Sequence, residues 1–315
     1  MTRVRIPARA FQIQNRKMIE NQEEHKKNWH DRYYKTFLLI PLALLIFSFV
    51  YLGVFYSQNN DFFLKDISLK GGTSVTINDN LDTSSLKETL TNEFGEVNVR
   101  EISDLITGEQ IATIVETTAD PETIKTFLES YLGYELNEEN SSFEFTGSSL
   151  SKSFYNQLLI AILISFIFMA IVVFIIFRNI IPSGAVVLCA FMDILLTLVV
   201  VNILGIKMSS AGIIALLMLI GYSVDTDILL TNRVLKRQEG SLNERLFGAF
   251  KTGITMTLTS LFAVTVALFI VKSFSVTLTQ IFTILVIGLA FDIFNTWITN
   301  VSILKWYVYS RDRIK

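Results

Sequence analysis

Six long apolar stretches constrain this chain more than anything else in it: Thr36–Tyr56, Tyr155–Phe177, Ile181–Leu204, Ser210–Leu230, Thr252–Val271 and Leu278–Leu304. Each holds at least 20 residues, and a helix of that length spans ~30 Å, the thickness of a hydrocarbon core. Helices of soluble cores are rarely apolar all round. Composition agrees, since 18% of residues are charged where a soluble domain carries ~25%. The pattern predicts a polytopic α-helical membrane protein with six transmembrane helices. A cleavable signal peptide is not expected, because a polar tail of about 35 residues precedes the first stretch.

Lysine and arginine set the orientation. Residues 1–35 hold nine, Arg178 follows the second stretch, and Arg233, Lys236, Arg237, Arg245 and Lys251 follow the fourth. Lys305, Arg311, Arg313 and Lys315 close the chain, so 19 of the 27 basic residues fall on one side. By the positive-inside rule that side is cytoplasmic and carries both termini. The expected organisation is a basic cytoplasmic tail at 1–35, a first membrane helix at 36–56, an external domain at 57–152, helices two to six within 153–304, and a cytoplasmic tail at 305–315. The basic tail is expected to orient the chain and to touch membrane lipids.

The external segment is acidic, with 18 acidic and six basic residues between 57 and 152. Phe62–Leu69 and Thr73–Ile77 alternate as strands do, with Gly71–Gly72 as a bend. Leu86, Leu90 and Phe94 share a helical face that Gly95 ends. Val97–Ile102 and Gln110–Val115 read as strands joined at Thr107–Gly108. Asp120–Pro121 starts a second helix, whose stripe is Ile124, Leu128, Tyr131 and Leu132, and Ser142–Phe145 alternates again. The order β-α-β-β-α-β is ferredoxin-like.

Four carboxylates lie inside the apolar stretches: Asp193, Asp225, Asp227 and Asp292. Each costs ~3 kcal/mol at the centre of a membrane helix unless something compensates. They are therefore candidates for a proton or cation path, against the plainer role of polar glue between helices. On a helix Asp225 and Asp227 diverge by ~200°. Asp225 shares its face with Gly221, which predicts a close helix approach beside that carboxylate. Ser223, Asp227 and Thr231 share another face, and Asp292 follows Gly288 at the same four-residue spacing. Thr252, Thr255, Thr257, Thr259 and Ser260 on the fifth helix are candidate hydrogen-bond donors to these acids. The lone Cys189 reads as a small core residue, and the two histidines, His25 and His30, build no metal cluster.

At these residues a resemblance emerges. Gly221–Lys236 (GYSVDTDILLTNRVLK), Asp66–Ile77 (DISLKGGTSVTI, with Gly71, Gly72 and Thr73), Met192–Ser209 (MDILLTLVVVNILGIKMS) and FDIFNTWITN within Ile287–Trp306 resemble, in order, motifs of the archaeal SecF branch of the SecD/SecF protein-export family. The resemblance implies a half-bundle of the RND transporter type and two partners, a SecD-like subunit and a SecY-type channel. It further implies an unfolded translocating polypeptide as cargo and a proton gradient as driving force. Bacterial SecF sequences usually read Asn-Asp-Thr where this chain reads Asp225-Thr226-Asp227, so the implied proton site is offset by one residue. The expectation places Asp225 first and Asp227 second.

The function expected is thus a non-enzymatic accessory subunit of protein export, with no cofactor, no metal and no nucleic acid. The alternative is half of an RND-type ion-driven small-molecule exporter; a purely structural or chaperone-like membrane subunit is a third. A GxxxxGK[ST] loop and an HExxH motif are both missing from the sequence, which argues against an ATPase and a zinc protease.

Overall fold

The structure is a computed structural model describing residues 36–103, 107–236, 240–273 and 275–314. The basic tail 1–35 with His25 and His30, Arg237 and Lys315 lie outside the described residues. Six helical rods are long and apolar enough to cross a membrane. They are α1 (Leu39–Asn59), α5 (Ser148–Phe177), α6 (Ile180–Ile203), α7 (Ser210–Lys236), α8 (Leu242–Val271) and a last rod of α9 (Val276–Phe294), a π-helical segment (Asn295–Asn300) and α10 (Val301–Ile314). The chain is a multi-pass membrane protein.

The rods differ in burial. Most of α6 and α7 is shielded inside the bundle, whereas α1, α5 and α8 expose most of their surface. α6, α7 and α9 pack against one another, α5 lies against α6 and α7, α8 against α7 and α9, and α1 against α6. Two close approaches need glycine. A Cβ on Gly288 of α9 would sit 2.4 Å from the Leu219 side chain of α7, and one on Gly253 of α8 would sit 2.6 Å from the Trp297 ring. The main apolar core joins Ile213, Leu216 and Leu219 of α7 to Ile284, Leu285 and Leu289 of α9.

Between α1 and α5 the chain makes α2 (Ile67–Lys70), β1 (Gly72–Ile77), α3 (Thr83–Phe94), β2 (Val97–Ser103), β3 (Gln110–Thr117), α4 (Pro121–Leu132) and β4 (Ser141–Thr146). The sheet order is β2-β3-β1-β4 with every neighbouring pair antiparallel, the ferredoxin-like arrangement. Local chemistry sets the helix ends. The Asp82 carboxylate accepts from the Ser84 and Ser85 amides, Asp120 caps a helix whose first residue is Pro121, and Gly133 closes it at φ 76°. Val75, Ile77, Val97 and Val115 of the sheet bury against Leu86, Leu90, Ile124 and Leu128 of the two helices.

One expected strand is absent. Phe62–Leu69 forms no strand; it makes an isolated bridge at Lys65 and then the short helix α2. The reason is its setting, because this segment runs along the bundle and not beside β1. The Asp66 amide donates to the Met208 carbonyl at 2.9 Å, and the Met208 amide to the Leu64 carbonyl at 2.6 Å. Lys65–Asp66 is thereby tied to the link between α6 and α7.

Candidate functional site: a buried carboxylate network

Asp193 on α6, Asp227 on α7 and Asp292 on α9 lie within 1% of full burial, and polar side chains of α7 and the last rod surround them. Asp193 accepts from the Ser223 hydroxyl at 2.5 Å and from the Asn295 amide at 2.6 Å. Asp227 accepts from the Asn300 amide at 2.7 Å and from the Thr296 hydroxyl at 2.9 Å. The Thr296 hydroxyl also lies 3.3 Å from Asp292 Oδ1, so one side chain bridges two carboxylates. Among the described residues no lysine or arginine pairs with any of the three. One oxygen of Asp227 and one of Asp292 are buried without a hydrogen-bond partner among those residues.

The local fold explains the convergence. Ser223, Asp227 and Thr231 recur every four residues and so share one face of α7, and all three are fully buried. The last rod supplies Asn295, Thr296, Thr299 and Asn300 from its π-helical segment, which starts three residues after Asp292. In a π turn the bonds run i→i+5, and such turns recur at functional sites inside α-helices. Here the wider turn lets Asn295 reach α6 while Thr296 and Asn300 reach α7. Thr226 and Thr257 meet at 3.3 Å beside this network. Carboxyl groups held by neutral donors, two of them sharing the Thr296 hydroxyl, can take up and pass on a proton.

The expected residues sort into three groups. Asp193, Asp227 and Asp292 come together. Asp225 does not join them; it is exposed on the outer face of α7, in an open groove with Ile228, Leu229, Asn232, Arg233 and Lys236. Gly221 is exposed too, and a Cβ there would meet nothing within 4 Å, so the close approach expected beside Asp225 is not made within this chain. Of the fifth-helix hydroxyls, Thr252, Thr255 and Thr259 are corrected, since they donate to the carbonyls four residues back, as hydroxyls in apolar helices do, and not to the acids; the buried Thr257 does reach Asp292 as expected.

Gly71, Gly72 and Thr73 are structural and lie at the root of the ferredoxin-like domain. Gly71 has φ 88° and ψ 150°, a region open to glycine, and a Cβ there would fall 2.5 Å from the Ser148 Cα at the start of α5. A Cβ on Gly72 would fall 2.3 Å from the Thr117 carbonyl oxygen of β3, and the Thr73 hydroxyl donates to the Ala119 carbonyl at 2.6 Å. Cys189 is a buried free thiol, 3.7 Å from the Asn295 carbonyl.

Residues 126–310 match the family model for the protein-export membrane protein SecD/SecF, C-terminal. The chain belongs to the SecD/SecF family. It is 42% identical over 281 residues to the protein-export membrane protein SecF of Methanocaldococcus jannaschii, covering 87% of this chain and 96% of that one. It is 37% identical over 284 residues to SecF of Methanothermobacter thermautotrophicus, covering 88% and 94%. Among solved structures, SecDF from Thermus, described as a translocon-associated membrane protein, superposes with a TM-score of 0.67 at 18% identity. That match covers 88% of this chain and 38% of SecDF, so the chain spans about two fifths of the SecDF length. A second SecDF structure, in a super-membrane-facing form, gives a TM-score of 0.60 at 17% identity. All three carboxylates and the π segment fall inside the part matched by the SecD/SecF model.

Proposed function

We propose that this chain is an accessory subunit of the Sec protein-export machinery that couples ion movement through its bundle to translocation, acting with a SecD-like subunit beside a SecY-type channel. The observation that carries the coupling is the buried network of Asp193, Asp227 and Asp292, bridged at Thr296 and held by neutral donors. Three carboxylates unpaired with a cation would burden a purely structural bundle, since each costs ~3 kcal/mol in a membrane interior. Proton exchange gives that cost a use. One charge moved across 100 mV yields ~2.3 kcal/mol, so several protons per cycle are needed to move an external domain.

Asp227 and Asp292 are the carriers this reading favours, with Asp193 next and Asp225 outside the path. The expected orientation goes with it, both termini in the cytoplasm and the ferredoxin-like domain outside. The SecDF likeness supports the missing half, because one SecDF chain contains about two and a half times the length matched here.

The test is export into proteoliposomes carrying the chain, its SecD-like subunit and the channel, with and without an imposed proton gradient. Asp227→Asn and Asp292→Asn should abolish stimulation by the gradient and leave assembly intact, while Asp225→Asn should keep it. Full stimulation with both Asp227→Asn and Asp292→Asn would refute the coupling role. For topology, a cysteine at Asn137 should be labelled from outside while tags at both termini stay protected.

A further inference from the structure

The link between α6 and α7, residues 204–209, is where the ferredoxin-like domain stands on the bundle. Lys207 pairs with Glu96, the residue before β2, at 2.8 Å. Met208 exchanges backbone bonds with Leu64 and Asp66, and the Ser210 amide donates to the Ser68 hydroxyl at 3.2 Å. From the bundle, the Gln280 side chain near the start of α9 grips the same link. Its carbonyl oxygen accepts from the Ser209 hydroxyl and, at 3.2 Å, from the Ser209 amide, while its amide nitrogen donates to the Lys207 carbonyl. Packing there is tight: a Cβ on Gly212 would fall 3.2 Å from that glutamine oxygen and 2.5 Å from the Met208 sulfur. At the other end of β2 the Ser103 amide donates at 2.9 Å to the Ser273 carbonyl, in the link that leads into α9. Both of these footholds lie at the start of one helix.

We infer that Gln280 is a positioning residue for gradient-driven export: it fixes residues 207–209 to α9 and so seats the ferredoxin-like domain on the helix that carries Asp292. The plainer role is a helix cap, and the bonds decide against it. The Ser209 hydroxyl accepts from the Gly212 amide at 3.3 Å and Ser68 takes the Ser210 amide. Two of the free amides in the first turn of α7 thus have acceptors without Gln280. A glutamine that spends both ends of its amide on Lys207 and Ser209 holds a segment in place. The same helix leads from this grip to the ion site. Gln280, Ile284, Gly288 and Asp292 recur every four residues, a stripe that winds slowly around α9. On that stripe Ile284 and Gly288 meet Gly212 and Leu219 of α7, and Asp292 shares the Thr296 hydroxyl with Asp227. Grip and carboxylates are therefore two ends of one α7–α9 contact, ~18 Å apart along the helix. The inference rests on the coupling reading above and names the residue through which the bundle holds the domain.

The experiment reads the full chain twice. Hydrogen exchange on the chain in detergent follows the Met208 and Ser210 amides, whose bonds go to Leu64 and Ser68 and not to Gln280. Gln280→Leu should speed their exchange at least tenfold and leave Val115, in the middle of the sheet, unchanged. Export into proteoliposomes with the SecD-like subunit and the channel is then measured with and without an imposed proton gradient. Gln280→Leu should cut the gradient-stimulated part at least fivefold and keep gradient-free export within twofold. Gln280→Glu, which keeps the acceptor for Ser209 and loses the donor to Lys207, should fall between. Thr283→Val is the control, since the Thr283 hydroxyl bonds only to the Thr279 carbonyl of its own helix, and it should match the unmodified chain in both readings. A full gradient response with Gln280→Leu, an equal loss of export with and without the gradient, or unchanged exchange at Met208 and Ser210 would each overturn the inference and leave the coupling by carboxylates in place. An unmodified complex that ignores the gradient would instead remove both.

Discussion

Alanine at Gly72 should remove a large share of the stability of the ferredoxin-like domain, whereas alanine at Gly71 should cost as much only when the membrane helices are attached. The two glycines are adjacent, but what lies above them differs. A Cβ on Gly72 meets the Thr117 carbonyl oxygen at 2.3 Å, inside the sheet. Overpacking against backbone costs ~1–3 kcal/mol, and φ 150° adds strain of ~1–3 kcal/mol for any other residue. The total of ~2–6 kcal/mol compares with the ~4–13 kcal/mol that a domain of about 87 residues holds at the usual stability per residue. A Cβ on Gly71 meets Ser148, which belongs to α5. In a soluble fragment of residues 61–147 the Ser148 clash is gone, and what is left is backbone strain of ~1–3 kcal/mol and a 3.1 Å approach to the Gly147 carbonyl carbon at the fragment's free end. Urea melting of the fragment, followed by circular dichroism, should therefore place Gly72→Ala below Gly71→Ala by at least ~1 kcal/mol. In the full chain the two should converge. Equal costs in the fragment, or the reverse order, would refute the steric reasoning, and a fragment without cooperative melting would refute the independence of the domain.

Asn300→Leu removes a 2.7 Å hydrogen bond to Asp227; it should cost the bundle ~0.6–1.7 kcal/mol, read by denaturant titration in detergent, and should blunt the gradient response. Gly253→Ala pushes a methyl against Trp297 and Thr226 at 2.6 and 3.2 Å and should lower thermal stability by ~1–3 kcal/mol. The Glu96 carboxyl, at the turn before β2, is held below its ordinary value of 4.5 mainly because Lys207, and then Lys70, donate to it. A depressed folded value stabilises the docked domain above pH 4.5 and is lost as pH falls through that lower value. The Glu96–Lys207 contact at 2.8 Å should thus hold from pH 7 to 5 and release in stronger acid. Glu96 is half-exposed, so Glu96→Gln should weaken docking by under ~1 kcal/mol, measured by hydrogen exchange at Lys207–Ser210.

The apolar stretches, the acidic domain and its β-α-β-β-α-β order were legible because each rests on length or periodicity that local chemistry enforces. Thr83–Phe94 and Pro121–Leu132 begin at the aspartates and end at the glycines that the pattern marks. Phe62–Leu69 misled because alternation signals only a half-buried surface; here that surface faces the α6–α7 link, which lies 140 residues away in the chain. The four carboxylates were visible by their cost, but which of them met was not. The family register favoured Asp225, whereas the four-residue spacing of Ser223, Asp227 and Thr231 already marked a second polar face needing a buried partner. Asn295, Thr296, Thr299 and Asn300 went unread as site residues, although six residues containing two asparagines and two threonines are conspicuous in an apolar span. Nothing in that composition announces a π turn, which depends on the tertiary partners those side chains find.

The last membrane rod has a property of gearing that follows from its wide turn. A π turn holds one more residue per hydrogen-bonded ring than an α turn, and one residue of α-helix corresponds to ~100° of rotation and ~1.5 Å of advance. Val301–Ile314 is thus out of phase with Val276–Phe294, set off by roughly a quarter turn from the heading a continuous α-helix would have taken. The residues that set this offset, Asn295, Thr296 and Asn300, are the ones whose side chains hold Asp193, Asp227 and Asp292. Slipping the ladder by one bond across these six residues would swivel the carboxy-terminal shaft like a crank while the shaft above stayed locked against Leu219. The side chains that hold the three carboxylates and the pivot of the helix lie in the same six residues.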